Sequence, residues 1–521
     1  MKIVVKRIAI MLIFTMAFIG FASPFTHADN SSTCQLTNEA ILRQQDALHV
    51  GQGYDARSLD PHAANDTVSS RVIKQIYETL VNQNDNIEIE PGLAESWTRI
   101  DDVTIEFKLK KGVKFHNGEE FTSNDVKFTL LRGIESPSVG HVLWEIDPNK
   151  IKIVDDYTIQ IATKEPDSSI LANLAHAAGS MLNEKAVTEA GDDYGQNPVG
   201  TGAFKFDIWN IEDSIELVKF NDYHDEPAKV ERVVFKNIPE DTDRFDEFKN
   251  GKLHIAYDIS PDDIQKLEDK DEVTVQRSQS LSATYIGFNT QKEPYNDIRV
   301  RQAINYAVDM DMIVETVMKG AAQVASGPLG PSVWAYNDSL EPYEYNVKKA
   351  KQLMKEAGYP NGLKTSIWVN DNQQRINIAT IVVEQLKEIG IEAEIEVVEW
   401  GVYLDGTADG KHDIFLLGWV TVNGDPHYGL YSQFHSSQFG YLGNRTLYSN
   451  KKVDELLDKG KSEADPEIRK KYYLEVQEII REEAPWIFSW TIDNINGVRN
   501  NVKGFSQHPS GYHQLSGVYL E

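Results

Sequence analysis

One cysteine in 521 residues, Cys34, excludes an internal disulfide, so no covalent staple holds this fold together. A thiol nucleophile could only be Cys34, which lies in a polar stretch ahead of any scaffold element. Basic side chains are also scarce. The 52 Lys and Arg stand against 80 Asp and Glu, a formal net charge of −28. Such a field repels nucleic acid and anionic lipid surfaces, and no Lys/Arg cluster relieves it locally. Long apolar runs are missing past residue 30. The early run at residues 8–21 falls short of the ~20 residues a bilayer span needs. Motifs of chemistry are missing too: there is no G-x-S-x-G elbow, no H-E-x-x-H and no G-x-x-x-x-G-K-[ST] loop. Gly51-x-Gly53 fails as a dinucleotide fingerprint because Ala56 holds the third glycine position and Pro61 follows soon after. His412, His427 and His435, near Asp413 and Asp425, fit no helical or loop ligand set and read as surface or pocket-rim residues. Asp101-Asp102, Asp155-Asp156 and Asp262-Asp263 sit in turn contexts and read as solvated loops. The expectation is a non-enzyme without metal or cofactor.

What is present begins with a leader. Lys2, Lys6 and Arg7 precede the apolar run, and Thr26-His27-Ala28 offers a small-x-small cleavage site, so residues 1–28 read as a signal peptide. The remainder, 41% hydrophobic and 25% charged overall, is ordinary globular protein, and too long for one core.

The densest local signal lies at residues 89–131. Thr104 to Leu109 alternates with period two, which places Ile105, Phe107 and Leu109 inward on a half-buried strand. Thr122 or Ser123 caps a helix beginning near Asp125. Upstream, residues 48–53 read as a strand, and Val68, Val72, Ile76 and Leu80 form a helical ladder ending near Val81. Residues 197–206 are a glycine-rich turn into a strand. Residues 285–290 end a strand. Further on, residues 347–357, 377–388, 451–459 and 466–483 read as helices, and residues 413–419 form a nearly continuous apolar strand, hence a central one. Residues 504–520 keep some strand character.

Ala94-Glu95-Ser96-Trp97, Asp101-Asp102, Thr104, Phe107, Leu109, Lys110, Gly112, Val113, Phe115, Gly118, Thr122, Asp125 and Val126 stand at the spacing of a known signature. The chain resembles the large extracytoplasmic solute-binding proteins that deliver peptides, and in some branches nickel or glutathione, to ABC importers. Blocks at residues 197–206, 285–309 and 484–490 extend the resemblance over nearly the whole mature chain. It implies a mixed α/β, two-lobed Venus-flytrap fold with an extra small domain. Domain I would comprise residues 29–79, 201–288 and 489–521, domain II residues 80–200, and domain III residues 289–488. It also implies partners: a peptide or other small solute, and a membrane permease with its cytoplasmic ATPase. The receptor itself would be a monomer in the periplasm or at the outer face of the membrane. The residues before Cys34, Ser31-Ser32-Thr33, depart from the lipidation pattern, which favours release after Ala28 over acylation.

Residues 418–426 leave the central strand for a glycine loop crowded by Trp400, Trp419, Tyr428, Tyr431, Phe434, Phe439 and Tyr441. These rings are either core or pocket. Where dipeptide and oligopeptide binders of the family place an aspartate, three positions after Trp419, this chain has Val422. A free peptide N-terminus must then meet Asp425, another acid, or go unread, since burying an unpaired ammonium costs several kcal/mol. Arg375 stands near the position of an arginine that grips a ligand carboxylate, and Tyr285, Asn289 and Trp486 lie on the expected crossings between lobes. The resemblance thus implies a peptide receptor. The alternative is the same transport role with a glutathione-like ligand, a nickel chelate or an oligosaccharide.

Overall fold

The alternation at residues 104–109 becomes a strand, Thr104–Leu109, with Ile105, Phe107 and Leu109 buried. It lies inside a four-stranded antiparallel sheet, between Ala94–Arg99 and Thr158–Ala162, with Lys152–Asp155 at the edge. The helix that follows, Ser123–Glu135, starts in a capping box. Thr122 Oγ1 accepts from the backbone of Asn124, and the Asp125 carboxylate accepts from the Thr122 N–H at 2.9 Å. Val126 and Leu130 turn inward, and with the strand residues they form the core of a small domain. The computed structural model describes residues 47–521 except 269–270 and 441–442. The leader at residues 1–28, Cys34 and Tyr441 therefore lie outside the described residues.

A large mixed sheet carries the rest. Its order runs Ile391–Val398, Leu363–Asn370, Ile414–Val420, Ser282–Phe288, Trp486–Arg499, Ile255–Ala256, Ala47–Gln52, Arg232–Asn237, Ser214–Lys219, Phe204–Asn210. The apolar run at residues 413–419 is central, as its composition requires: Ile414–Val420 pairs parallel with Leu363–Asn370 and antiparallel with Ser282–Phe288. Two apolar cores flank the sheet. One gathers Leu48, Val50, Val72, Ile76 and Val233, the other Ile286, Val300, Ile304, Ile378, Val382 and Leu416, so the architecture is mixed α/β with two lobes. The 14-residue strand Trp486–Arg499 belongs to both. Its first part pairs with Ser282–Phe288 and its second with Val273–Gln279, so the chain passes between lobes here and again at Ser280 and Leu281.

Two elements differ from their sequence reading. The ladder expected to reach Val81 stops at Ile76, because residues 81–83 pair with Ile89–Pro91 instead. The glycine-rich turn at residues 197–206 closes that helix end. Gly202 N–H donates to the Ile76 carbonyl at 2.9 Å, and a Cβ on Gly200 would stand 2.0 Å from the same oxygen. The tail at residues 504–520 forms only one short pair, Val502–Lys503 with Tyr519–Leu520. Side chains of the Thr67–Ile76 helix replace the missing ladder: Arg71 donates to the Gly511 carbonyl and Gln75 to the His513 carbonyl. Among the described residues no helix is long and apolar enough to cross a membrane.

Candidate functional site

The Ile414–Val420 strand ends at the junction of the lobes, and the loop after it is fixed residue by residue. Thr421 N–H donates to the Leu281 carbonyl, and Val422 N–H to the Val420 carbonyl. Asn423, 1% exposed, reaches across. Its amide donates to Asn173 Oδ1 at 2.6 Å, and its carbonyl accepts from Gln83 Nε2 at 2.6 Å. Gly424 takes φ +68°, and a Cβ there would strike Ile87 at 2.2 Å. Ile87, on the 81–91 hairpin of the first lobe, is buried in an aromatic cluster of the second lobe with Leu281, Tyr285 and Trp486. Lys461 pairs with Glu145 at 3.0 Å, and Ser168 N–H donates to the Lys461 carbonyl at 2.9 Å. The lobes are closed on each other.

Between the lobes lies a cavity of about 690 Å³ that stays partly open to solvent. Glu145, Asp167 and Asn173 of the small domain form one wall, and Trp419, His427 and Tyr428 of the second lobe form the other. The Trp419 and Tyr428 rings stack with centroids 5.6 Å apart. Three buried polar atoms on these walls have no protein partner among the described residues: Asp167 Oδ2, Trp419 Nε1 and His427 Nδ1. Burial pushes the Asp167 carboxyl above the usual carboxylate range, with Asp425 adding to the effect. Burial pushes His427 down to about 3, so its imidazole is neutral. A second cavity of about 380 Å³ lies on the far side of Asn423, between Ile87, Leu171, Trp334 and Arg469. A cleft lined mainly by polar and charged side chains, with Trp144, Trp419, Tyr428 and Tyr431 among them and a few unmet polar groups, suits capture of a polar solute, and among the described residues no group of three His, Cys, Asp or Glu side chains is placed to hold a metal ion.

The structure distributes the residues singled out from sequence unevenly. Trp419 lies on the cavity wall. Asp425 borders the smaller cavity, but both carboxylate oxygens are taken by Arg469, at 2.6 and 2.8 Å, and it also accepts from the His427 N–H. Burial alone would raise its pKa, yet the Arg469 guanidinium holds it below the usual range. Asp425 is thus no free acid for a ligand ammonium. Val422 is half-buried beside it and lines neither cavity. Arg375 and Trp400 form their own pair. The guanidinium lies 5.8 Å from the Trp400 ring and donates to Asn370 Oδ1 at 2.9 Å, while Trp400 stacks on Tyr403. Neither lines either cavity. Tyr285 and Trp486, expected at the pocket, are each 1% exposed and stacked 3.6 Å apart in the second lobe's core. Adjacent strands carry them onto one covered face, where aromatic packing outweighs any exposure. Asn289, 1% exposed, spends its amide on the Gly410 and His412 carbonyls. His412, read as a surface or rim residue, is fully buried against Phe415.

Sequence reasoning missed Asp167, Asn173, Glu145 and Lys461. Nothing local separates Asp167 from an ordinary aspartate ahead of a helix, here Ile170–Ala175.

Comparison with known proteins agrees with this geometry. Residues 88–441 match the bacterial extracellular solute-binding proteins, family 5. Heme-binding protein A of Haemophilus influenzae is 32% identical over 480 residues, covering 86% of this chain and 87% of that protein. The glutathione-binding protein GsiB of Escherichia coli strain K12 is 31% identical over 469 residues, covering 88% and 91%. The structure of the periplasmic binding protein DppA of Helicobacter pylori, in complex with the peptide STSA, superposes with a TM-score of 0.76 at 33% identity, covering 92% of this chain and all of that one. The chain belongs to the family 5 extracellular solute-binding proteins, the substrate-binding receptors of ABC importers.

Proposed function

We propose that this receptor captures a short peptide or peptide-like solute, glutathione included, and presents it to the permease of an ABC importer. The observation that carries the reading is the cavity of about 690 Å³ between the lobes. That volume lies within the ~300–1,000 Å³ typical of small-ligand sites. Its unmet carboxylate oxygen and indole N–H suit the amine and carbonyl groups of a peptide, and the stacked rings suit its side chains. The peptide bound by the DppA structure and the glutathione bound by GsiB support the same ligand class. The receptor works as a monomer whose closed lobes form the surface that the permease meets, and the reaction is capture and release with no covalent step.

Native mass spectrometry of the protein isolated from cells, followed by calorimetric titration with di- and tripeptides, glutathione and haemin, tests this. A co-purifying peptide-sized mass and saturable binding of short peptides or glutathione are expected. Binding of haemin alone would overturn the peptide reading.

A further inference from the structure

The acids at the junction of the lobes are not equivalent. The position three residues past Trp419 holds Val422 and offers none. Asp425 is saturated by Arg469. Glu145 is paired with Lys461, and Glu165 is 75% exposed at the cavity's rim. Asp167 is 1% exposed. Its Oδ1 accepts from Ser169 twice, from the backbone N–H at 2.8 Å and the hydroxyl at 2.7 Å, while its Oδ2 has no partner among the described residues.

We propose that Asp167 is the ligand-reading carboxylate of this receptor: it takes a primary ammonium of a short peptide, while Trp419 Nε1–H donates to a carbonyl or carboxylate oxygen of the same molecule. The proposal rests on the peptide reading above and assigns residues to it. A buried acceptor left unmet is costly, and a cation that meets it recovers the full value of a charge-assisted hydrogen bond. The upward push on the Asp167 carboxyl has the same origin: burial penalises its charged form, and although Lys461 and Arg469 act on it through space, neither bonds to its Oδ2. Asp167 belongs to the small domain and Trp419 to the second lobe. A ligand holding both atoms therefore bridges the lobes, and binding energy becomes available only on closure. The acid has changed lobes relative to the expected position after Trp419, and Val422 is free to be apolar.

Asp167→Asn keeps the oxygen that serves Ser169 and alters only the unpartnered one. Calorimetry of wild type and Asp167→Asn with trialanine and glutathione, each also in its N-acetylated form, tests the assignment. The substitution is expected to weaken the free-amine ligands roughly 10- to 100-fold. N-acetylation should weaken wild type by a similar factor, and the acetylated ligands should bind both proteins alike. Unchanged affinity of Asp167→Asn for the free-amine ligands overturns the proposal while leaving the peptide reading intact. Equal losses for free and acetylated ligands also overturn it, since that marks a structural role. Failure of wild type to bind any of the four overturns the peptide reading and the proposal together.

Discussion

Removing the Arg469 guanidinium should do more damage than removing the pair it belongs to. Arg469 and Asp425 are 6% and 8% exposed at the side chain, and two short hydrogen bonds join them. Arg469 also donates to the Gly460 carbonyl and to Tyr473 Oη, and its guanidinium lies 5.2 Å from the Trp334 ring. Arg469→Met keeps most of the stem and leaves Asp425 charged, buried and unpaired, a situation that costs about 3–5 kcal/mol. Asp425→Asn in the same background removes the stranded charge, and the double variant should recover about 2 kcal/mol or more of that loss. Equilibrium urea unfolding, followed in parallel by tryptophan fluorescence and circular dichroism, measures both. The pH dependence has a definite sign. Asp425 is held below its ordinary value, so the stability it contributes is present above the unfolded pKa of about 3.9 and is lost as pH falls through the folded value. In Arg469→Met the unpaired acid prefers its proton, so the gap to wild type should narrow below about pH 4. A loss under about 1 kcal/mol for Arg469→Met, or a double variant as damaged as the single, would show that Asp425 is not stranded as a buried charge.

Two further substitutions separate closure from folding. Ile87→Asp puts a carboxylate into the aromatic cluster that Ile87 enters when the lobes close, and calorimetry should show ligand affinity reduced at least about tenfold, with a ligand-free melting temperature close to wild type. Thr122→Ala removes the helix cap at Ser123–Glu135, which lines neither cavity, and should cost about 0.5–2 kcal/mol in urea unfolding with ligand affinity unchanged.

Local rules reached much of the fold. The strand Thr104–Leu109, the Thr122 cap and the central strand Ile414–Val420 are each dictated by patterns only a few residues long, and each forms where those patterns require. The site was less legible because its contacts are remote in sequence. Asn423 meets Gln83 and Asn173 across separations of 340 and 250 residues, and no pattern near either partner announces the other. Tyr285 and Trp486 show a different difficulty. An aromatic residue on a crossing strand suits a cleft or a core equally well, and only the covering layer decides, here Phe415 and Phe434 packed against the stacked pair. Asp425 was legible as an acid that could meet a ligand ammonium, but its partner Arg469 lies 44 residues downstream and consumes it. Val422 marked where an expected acid is missing. The replacement we assign, Asp167, lies in another domain.

In this receptor the lobes close around a small solute. Small-angle X-ray scattering of the purified protein, first free and then saturated with the peptide or glutathione found to bind tightest, tests it most directly. A smaller radius of gyration is expected in the saturated protein, with a scattering curve that matches the closed structure described above. Identical curves for the free and saturated protein, at a ligand concentration shown by calorimetry to fill the site, would contradict it.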